Sequence, residues 1–213
     1  MCIISCCNNN SMPGAGMAPY LALLPDFMVT EINRYRTLSD RQSRLLARLM
    51  LLKYLKQENQ EHLIHHWTRD DDYKPFIAGW KEFNIAHSGD ITAICFAETA
   101  VGLDIEKTLP IDVPMMADHF RPEETRYILA SNKELERFYD IWVRKEAVLK
   151  AAGTGIVNGL KEICCLETEV YYNNSSWYLT RLQLGEGYTS YVCSAQSNLQ
   201  PLIVSFDPRE LLV

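Results

Sequence analysis

The sequence predicts an α+β fold of two lobes, each with helices followed by a small antiparallel sheet. Three observations predict it. Apolar residues recur at helical spacing from Leu21 to Leu55 and from Glu134 to Ala152. Short apolar or alternating runs bounded by turn residues follow each of these segments. The helices-then-strands order occurs in both halves without a sequence repeat, and the join falls near Thr99–Ala100. The expected organisation is a loosely ordered leader over 1–19, an N-terminal lobe over 20–99 and a C-terminal lobe over 100–213.

The elements follow in order. Asn8 to Ser11 is polar, and Pro13, Gly14, Gly16 and Pro19 favour turns, hence the expected loose leader. A secretory signal needs a basic start and an apolar stretch of about 7–15 residues, and neither is present. In the first helical segment Leu45, Leu46, Leu49, Leu52 and Leu55 form the apolar face. Arg41, Arg44, Arg48 and Lys53 lie elsewhere around it and read as a solvated basic face. The polar stretch from Glu58 to Lys74 ends in a loop-like run, Asp70 to Asp72. Phe83 to His87 alternates as a strand, Ser88-Gly89-Asp90 turns, Ile91 to Glu98 returns, and Val101 to Glu106 is a third strand. Pro110 and Pro114 break the chain. Helices are expected over Met115 to Leu129 and Glu134 to Ala152, the second stopped by Gly153-Thr154-Gly155. Strands are expected over Glu162–Thr168, Trp177–Leu184, Tyr188–Ser194 and Leu202–Phe206.

Composition narrows the function. Of 213 residues, 47% are hydrophobic and 23% charged, which excludes wholesale disorder. No apolar run approaches about 18 residues, so no membrane helix is expected. The net charge of −6 argues against a nucleic-acid partner. The seven cysteines form no CxxC pair, against a zinc ribbon or thioredoxin-like motif, and the chain reads as cytoplasmic with reduced thiols. Cys2, Cys6 and Cys7 have no partner residues at ligand spacing.

Two segments carry chemistry. In Val101-Gly102-Leu103-Asp104-Ile105-Glu106 the side chains alternate, so Asp104 and Glu106 share a face, with Cα atoms about 6.5–7 Å apart. They can converge on one cation, or be the wet face of an amphipathic strand. In the helix, Trp142, Glu146 and Lys150 are spaced by four and form one stripe. An exposed Glu146–Lys150 pair is the plain alternative. Taken together, Asp104, Glu106 and Glu146 suggest a magnesium site, with Lys145 and Lys150 facing a phosphate. That is equipment for phosphoryl transfer. His87, ending a strand beside a tight turn, could donate to a phosphate oxygen, and the proline after Lys74 aims that ammonium outward.

These residues together resemble the 4′-phosphopantetheinyl transferase superfamily, of the two-lobed Sfp type. The motifs are Phe83-Asn84-Ile85-Ala86-His87-Ser88-Gly89, then Val101 to Lys107, then Trp142-Val143-Arg144-Lys145-Glu146-Ala147-Val148-Leu149-Lys150. Asp104 and Glu146 stand 42 positions apart, as the family pattern calls for. The resemblance runs loosely from about Leu23 to the C-terminus. It implies two pseudo-symmetric lobes with coenzyme A between them and Mg²⁺, or Mn²⁺, on its pyrophosphate. A carrier-protein serine takes phosphopantetheine, and adenosine 3′,5′-bisphosphate leaves. Asp104, Glu106 and Glu146 match metal positions, and Glu146 the acceptor of the serine proton. Lys150 matches a pyrophosphate-steadying lysine. Lys74, His87, Ser88 and Lys145 fall in the coenzyme-binding motifs. The 3′-phosphate arginine corresponds to Ser43, so Arg41 or Arg44 takes its place. Ala86 replaces a frequent serine, and Tyr73 stands where a glycine is usual.

The acyl or peptidyl carrier protein is expected to dock near Ile111, Met115, Met116 and Phe120, with Arg121 and Arg126 offering basic attraction. A monomer is expected, since one chain holds both halves of the cleft. Two other functions fit the same residues: a non-catalytic protein that binds coenzyme A or a carrier, and a metal-dependent phosphoesterase.

Overall fold

The computed structural model describes residues 1–12, 16–130, 132–155 and 160–212. Pro13 and Gly14 of the expected leader lie outside the described residues. The chain folds as α+β with two four-stranded sheets, each covered by a long helix.

The expected loose leader instead opens with β1 (Cys2–Asn8), which pairs antiparallel with β5 (Ile91–Ala97) and parallel with β10 (Pro201–Ser205). Ile4 and Cys7 are buried, so an interior strand hides behind a cysteine-rich spelling. Adding β4 (Glu82–Ser88) completes the first sheet, in the order β10-β1-β5-β4. The last strand of the chain therefore belongs to the first sheet. Residues 100–213 do not form a self-contained lobe, and this sheet is mixed rather than antiparallel.

The helical stretch from Leu21 to Leu55 divides into α1 (Ala18–Leu21), α2 (Asp26–Asn33) and α3 (Leu38–Gln57). Pro25 starts α2, and Thr37 starts α3 by accepting from the Asp40 amide at 3.1 Å, a cap worth about 1 kcal/mol. Leu45, Leu46, Leu49, Leu52 and Leu55 pack on Ile94 and Phe96 of β5, each contributing about 2 kcal/mol of burial. The other face of β5 presents Ala93, Cys95 and Ala97 to Val101, Leu103 and Ile105 of β6 (Val101–Lys107), the core between the lobes. A small hairpin of β2 (Trp67–Arg69) and β3 (Pro75–Ile77) flanks the first lobe.

The second lobe has the helices α4 (Val113–Ala117), α5 (Pro122–Leu129) and α6 (Glu134–Ala152). The single helix expected over Met115–Leu129 breaks at Arg121, because the residue before Pro122 is held extended. Gly153, at φ 68°, ends α6, its N–H bonding to the Leu149 carbonyl. The second sheet runs β6-β9-β8-β7, with β7 (Glu169–Tyr172), β8 (Ser175–Leu182) and β9 (Tyr188–Ser194). Residues 162–168, expected as a strand, are irregular. Ile163 and Cys165 are buried in alternation, which mimics a strand. Their main-chain groups bond to side chains instead: Lys145 to the Ile163 carbonyl, Arg144 to those of Cys165 and Leu166, and the Cys165 amide to Glu124 at 2.7 Å.

Candidate active site

The site lies at the seam where β4 and β6 run side by side. Their main chains are not laddered; side chains join them. Asn84 Oδ1 accepts from the Leu103 amide at 2.9 Å, and Ser88 Oγ accepts from the Lys107 amide at 3.0 Å. Ser88 also donates to Glu106 at 2.7 Å, which ties that carboxylate to the seam.

Gly102 sets the depth. A Cβ there would stand 2.1 Å from the Ala147 carbonyl oxygen and 2.4 Å from the Ala151 nitrogen, so only glycine lets α6 lie on β6. That approach brings Glu146 and Lys150 to the polar face of β6. Lys150 Nζ bonds Asp104 Oδ1 at 2.6 Å. Asp104 and Glu146 are buried, and Glu106 is half-buried. Burial pushes the Asp104 carboxyl up to about 6; Lys150 opposes this, and Glu106 adds to it. Burial likewise raises Glu146 to about 7, with repulsion from Asp104 and Glu106. Burial works against the Lys150 charge, but Asp104 outweighs it and holds the ammonium above its ordinary value.

Among the described residues no three His, Cys, Asp or Glu side chains form a ready metal cage. The donors nevertheless fit a hard divalent cation. Asp104 Oδ2 and Glu146 Oε1 are buried without a hydrogen-bond partner, and among the described residues they are the two carboxylate oxygens left so. Mg²⁺ and Mn²⁺ take such oxygens.

A cleft of about 620 Å³ opens beside this group, lined by Arg44, Arg48, Arg69, Lys74, His87 and Lys150 among others. A chain of net charge −6 thus carries a cationic cleft. Burial lowers the His87 pKa to about 4, helped by Arg44 and Lys150, so the free imidazole is neutral at pH 7. Lys74 faces the cleft and pairs with Glu82 at 3.4 Å. Tyr73, where a glycine was expected by resemblance, takes φ 63° on the same wall.

Several expectations are corrected by placement. Lys145 does not face a phosphate: it is fully buried, paired with Glu124 at 2.6 Å and bonded to the Leu160 and Ile163 carbonyls. Ser88 serves the seam and does not line the cleft. Of the two candidate arginines, Arg41 bonds the Tyr35 carbonyl at 2.8 Å, outside the cleft lining. Arg44 lines it, with a buried Nε that has no partner. The basic residues of α3 are not a uniformly solvated face, since Arg48 is only 2% exposed and paired with Glu31. Glu31 also binds Arg69, a cleft residue that sequence reasoning missed because nothing in its spacing links it to α3. Trp142 stacks with Phe138 in the aromatic core rather than at the site. Phe120, 2% exposed, is core and cannot dock a partner; Met116 is partly buried, and Ile111 and Met115 are exposed.

Comparison with known proteins gives a likeness that covers part of the site. Residues 100–197 match the model of the 4′-phosphopantetheinyl transferase superfamily. The 4′-phosphopantetheinyl transferase gsp of Aneurinibacillus migulanus is 29% identical over 81% of this chain and 76% of its own length. The 4′-phosphopantetheinyl transferase Sfp of Bacillus subtilis is 30% identical over 61% of this chain and 62% of its own. A putative 4′-phosphopantetheinyl transferase of Haemophilus influenzae is 33% identical over 64% of each. These last two matches span less than two thirds of the relatives' lengths. On the motifs and these likenesses, the chain is similar to the 4′-phosphopantetheinyl transferases, with the superfamily match confined to residues 100–197.

Proposed function

We propose that this chain transfers 4′-phosphopantetheine from coenzyme A to a serine of an apo acyl or peptidyl carrier protein, releasing adenosine 3′,5′-bisphosphate. The observation that carries the reading is a cationic cleft reaching Lys150, itself bonded to Asp104 beside a second orphaned carboxylate, Glu146. Arg44, Lys74 and His87 would hold the nucleotide phosphates, and Lys150 the pyrophosphate. Asp104, Glu146 and Glu106 would hold Mg²⁺, with Mn²⁺ the alternative; when bound, the ion neutralises pyrophosphate charge.

The chain's own residues account for the rest. Glu146 accepts the serine proton as the serine oxygen forms its bond to the phosphorus next to pantetheine. The bond from that phosphorus to the bisphosphate oxygen breaks, and this oxygen leaves with the electron pair. Lys150 stabilises the charge that develops there. The carrier would dock on Ile111 and Met115, exposed just beyond β6. Both cleft walls come from one chain, which supports a monomer. All seven cysteines are free, in keeping with a reducing, cytoplasmic setting.

The test is to incubate the protein with coenzyme A, Mg²⁺ and several apo carriers and weigh the carriers intact. A gain of one phosphopantetheine, abolished by EDTA, is expected. No gain with coenzyme A still bound would favour a binding protein, and coenzyme cleavage without carrier modification would favour a phosphoesterase.

A further inference from the structure

The turn Ser88-Gly89-Asp90, where β4 ends beside the carboxylates, is held from both lobes at once. On the first-lobe side stands Asn9, just after β1 and only 3% exposed. Its Nδ2 donates to Ser43 Oγ of α3 at 3.0 Å and to the Gly89 carbonyl at 3.3 Å. Its Oδ1 accepts from Thr92 Oγ1 at 2.7 Å, and its backbone amide donates to the Asp90 carbonyl at 2.7 Å. A buried side-chain amide with both donors and its acceptor engaged rigidifies what it touches.

On the second-lobe side stands Tyr188 of β9. Its hydroxyl accepts from the Asp90 amide at 2.9 Å. A Cβ at Gly89 would stand 2.6 Å from the same hydroxyl, so the phenol lies tight against the turn. Lys107, opposite Tyr188 in the ladder of β6 and β9, pairs with Asp90 at 3.1 Å and lies 5.9 Å from the Tyr188 ring centroid. Tyr188 does not line the cationic cleft.

What this turn carries is Ser88, whose hydroxyl donates to Glu106 at 2.7 Å. Asp104 is oriented by the charge of Lys150, and Glu106 by this hydroxyl. The direction of one O–H bond follows from where the turn sits, so whatever fixes the turn fixes the carboxylate.

We propose that Tyr188 is a positioning residue: braced by Asn9 across the turn, its hydroxyl holds Ser88 against Glu106 and so sets the divalent-ion affinity of the carboxylate cluster. The proposal rests on the reading that Asp104, Glu106 and Glu146 hold Mg²⁺ or Mn²⁺. The experiment titrates the protein with Mn²⁺ at saturating coenzyme A and follows the free ion by electron paramagnetic resonance. Wild type, Tyr188→Phe, Ser88→Ala and the double variant are compared. Tyr188→Phe keeps the ring and removes only the hydroxyl. Ser88→Ala should weaken Mn²⁺ binding about tenfold and Tyr188→Phe about threefold. The double variant should bind no more weakly than Ser88→Ala, because Tyr188 acts through Ser88. Metal-free coenzyme A affinity, measured by calorimetry, should change less than about twofold in Tyr188→Phe, a separation that general loosening of the fold would not give. Wild-type Mn²⁺ affinity in Tyr188→Phe, a matching loss of metal-free coenzyme affinity, or a further loss in the double variant overturns the positioning role while leaving the ion reading intact. A wild-type protein that takes up no Mn²⁺ beyond that bound by coenzyme A alone overturns both.

Discussion

The carboxylate cluster and the cationic lining of the cleft beside it are built differently. The carboxylate cluster is compact: Asp104 and Glu106 come from one strand, Glu146 and Lys150 from the helix lying on it, and Gly102 holds the two in register. The cationic lining, which meets the cluster at Lys150, is dispersed. Arg44 and Arg48 come from α3, Arg69 and Lys74 from the small hairpin, and His87 from the end of β4. The cluster keeps unpartnered carboxylate oxygens buried, which is costly without a purpose. The lining partly neutralises its cations, since Glu31 serves both Arg48 and Arg69 and Glu82 serves Lys74. On the proposed reading the cluster does the chemistry and tolerates strain in its charges, whereas the lining holds the ligand and needs an open surface that can exchange partners.

The sharpest break in the comparison is Glu146→Gln. It removes a buried charge that has one unpartnered oxygen while keeping the volume. Transfer should fall about a thousandfold at saturating coenzyme with the melting temperature kept. Turnover within tenfold of wild type would remove Glu146 from the chemistry.

In the cationic lining Arg48→Ala should act on stability. It leaves Glu31 with Arg69 alone and removes the guanidinium over Trp67, at a cost of about 1–3 kcal/mol in urea denaturation. Gly102→Ala should cost about 1–3 kcal/mol through overpacking against α6, measured the same way, and should lower turnover by pushing Glu146 off Asp104. Arg44→Ala should spare stability and raise the KM for coenzyme A about tenfold, since its unpartnered Nε lies within a lining residue of the cleft.

The smallest effect is a pH dependence confined to the carboxylate cluster. The folded values of about 6 for Asp104 and about 7 for Glu146 lie above the ordinary carboxylate range. The folded protein therefore holds protons that the unfolded chain has released. The pair's contribution to stability is greatest below about pH 4 and is lost as pH rises through 6 to 7. The metal-free melting temperature should thus fall a few degrees from pH 5 to pH 8 relative to an Asp104→Asn, Glu146→Gln double variant. Mg²⁺ should reverse the fall in wild type only. Parallel curves for the two proteins would refute the coupling.

The same contrast explains what the sequence made legible. Asp104, Glu106, Glu146 and Lys150 sit on regular elements, where strand alternation and helical spacing place side chains by arithmetic. The long helix α6 and the strand β9 were readable over their full lengths for the same reason. Arg69 and Tyr73 sit on a hairpin whose position depends on tertiary packing, and no period connects them to α3. Lys145 was misplaced because it lies off the Trp142–Glu146–Lys150 stripe, and Glu124 draws it under α5. The strand β1 was missed because turn-forming residues follow it closely and its partners, β5 and β10, lie far along the chain. Residues 162–168 looked like a strand because alternate burial is a property of side chains, while a strand is defined by where its main chain bonds.

On the proposed reading the carboxylate cluster reacts and the cationic lining holds the coenzyme. Intact-mass measurement of phosphopantetheine gain on an apo carrier, across a range of coenzyme A concentrations, tests it for wild type, Glu146→Gln and Arg44→Ala together. The account predicts that Arg44→Ala recovers wild-type rates when coenzyme A is raised, while Glu146→Gln stays inactive at every concentration. Rescue of Glu146→Gln by more coenzyme, or an Arg44→Ala defect that no concentration relieves, would contradict it.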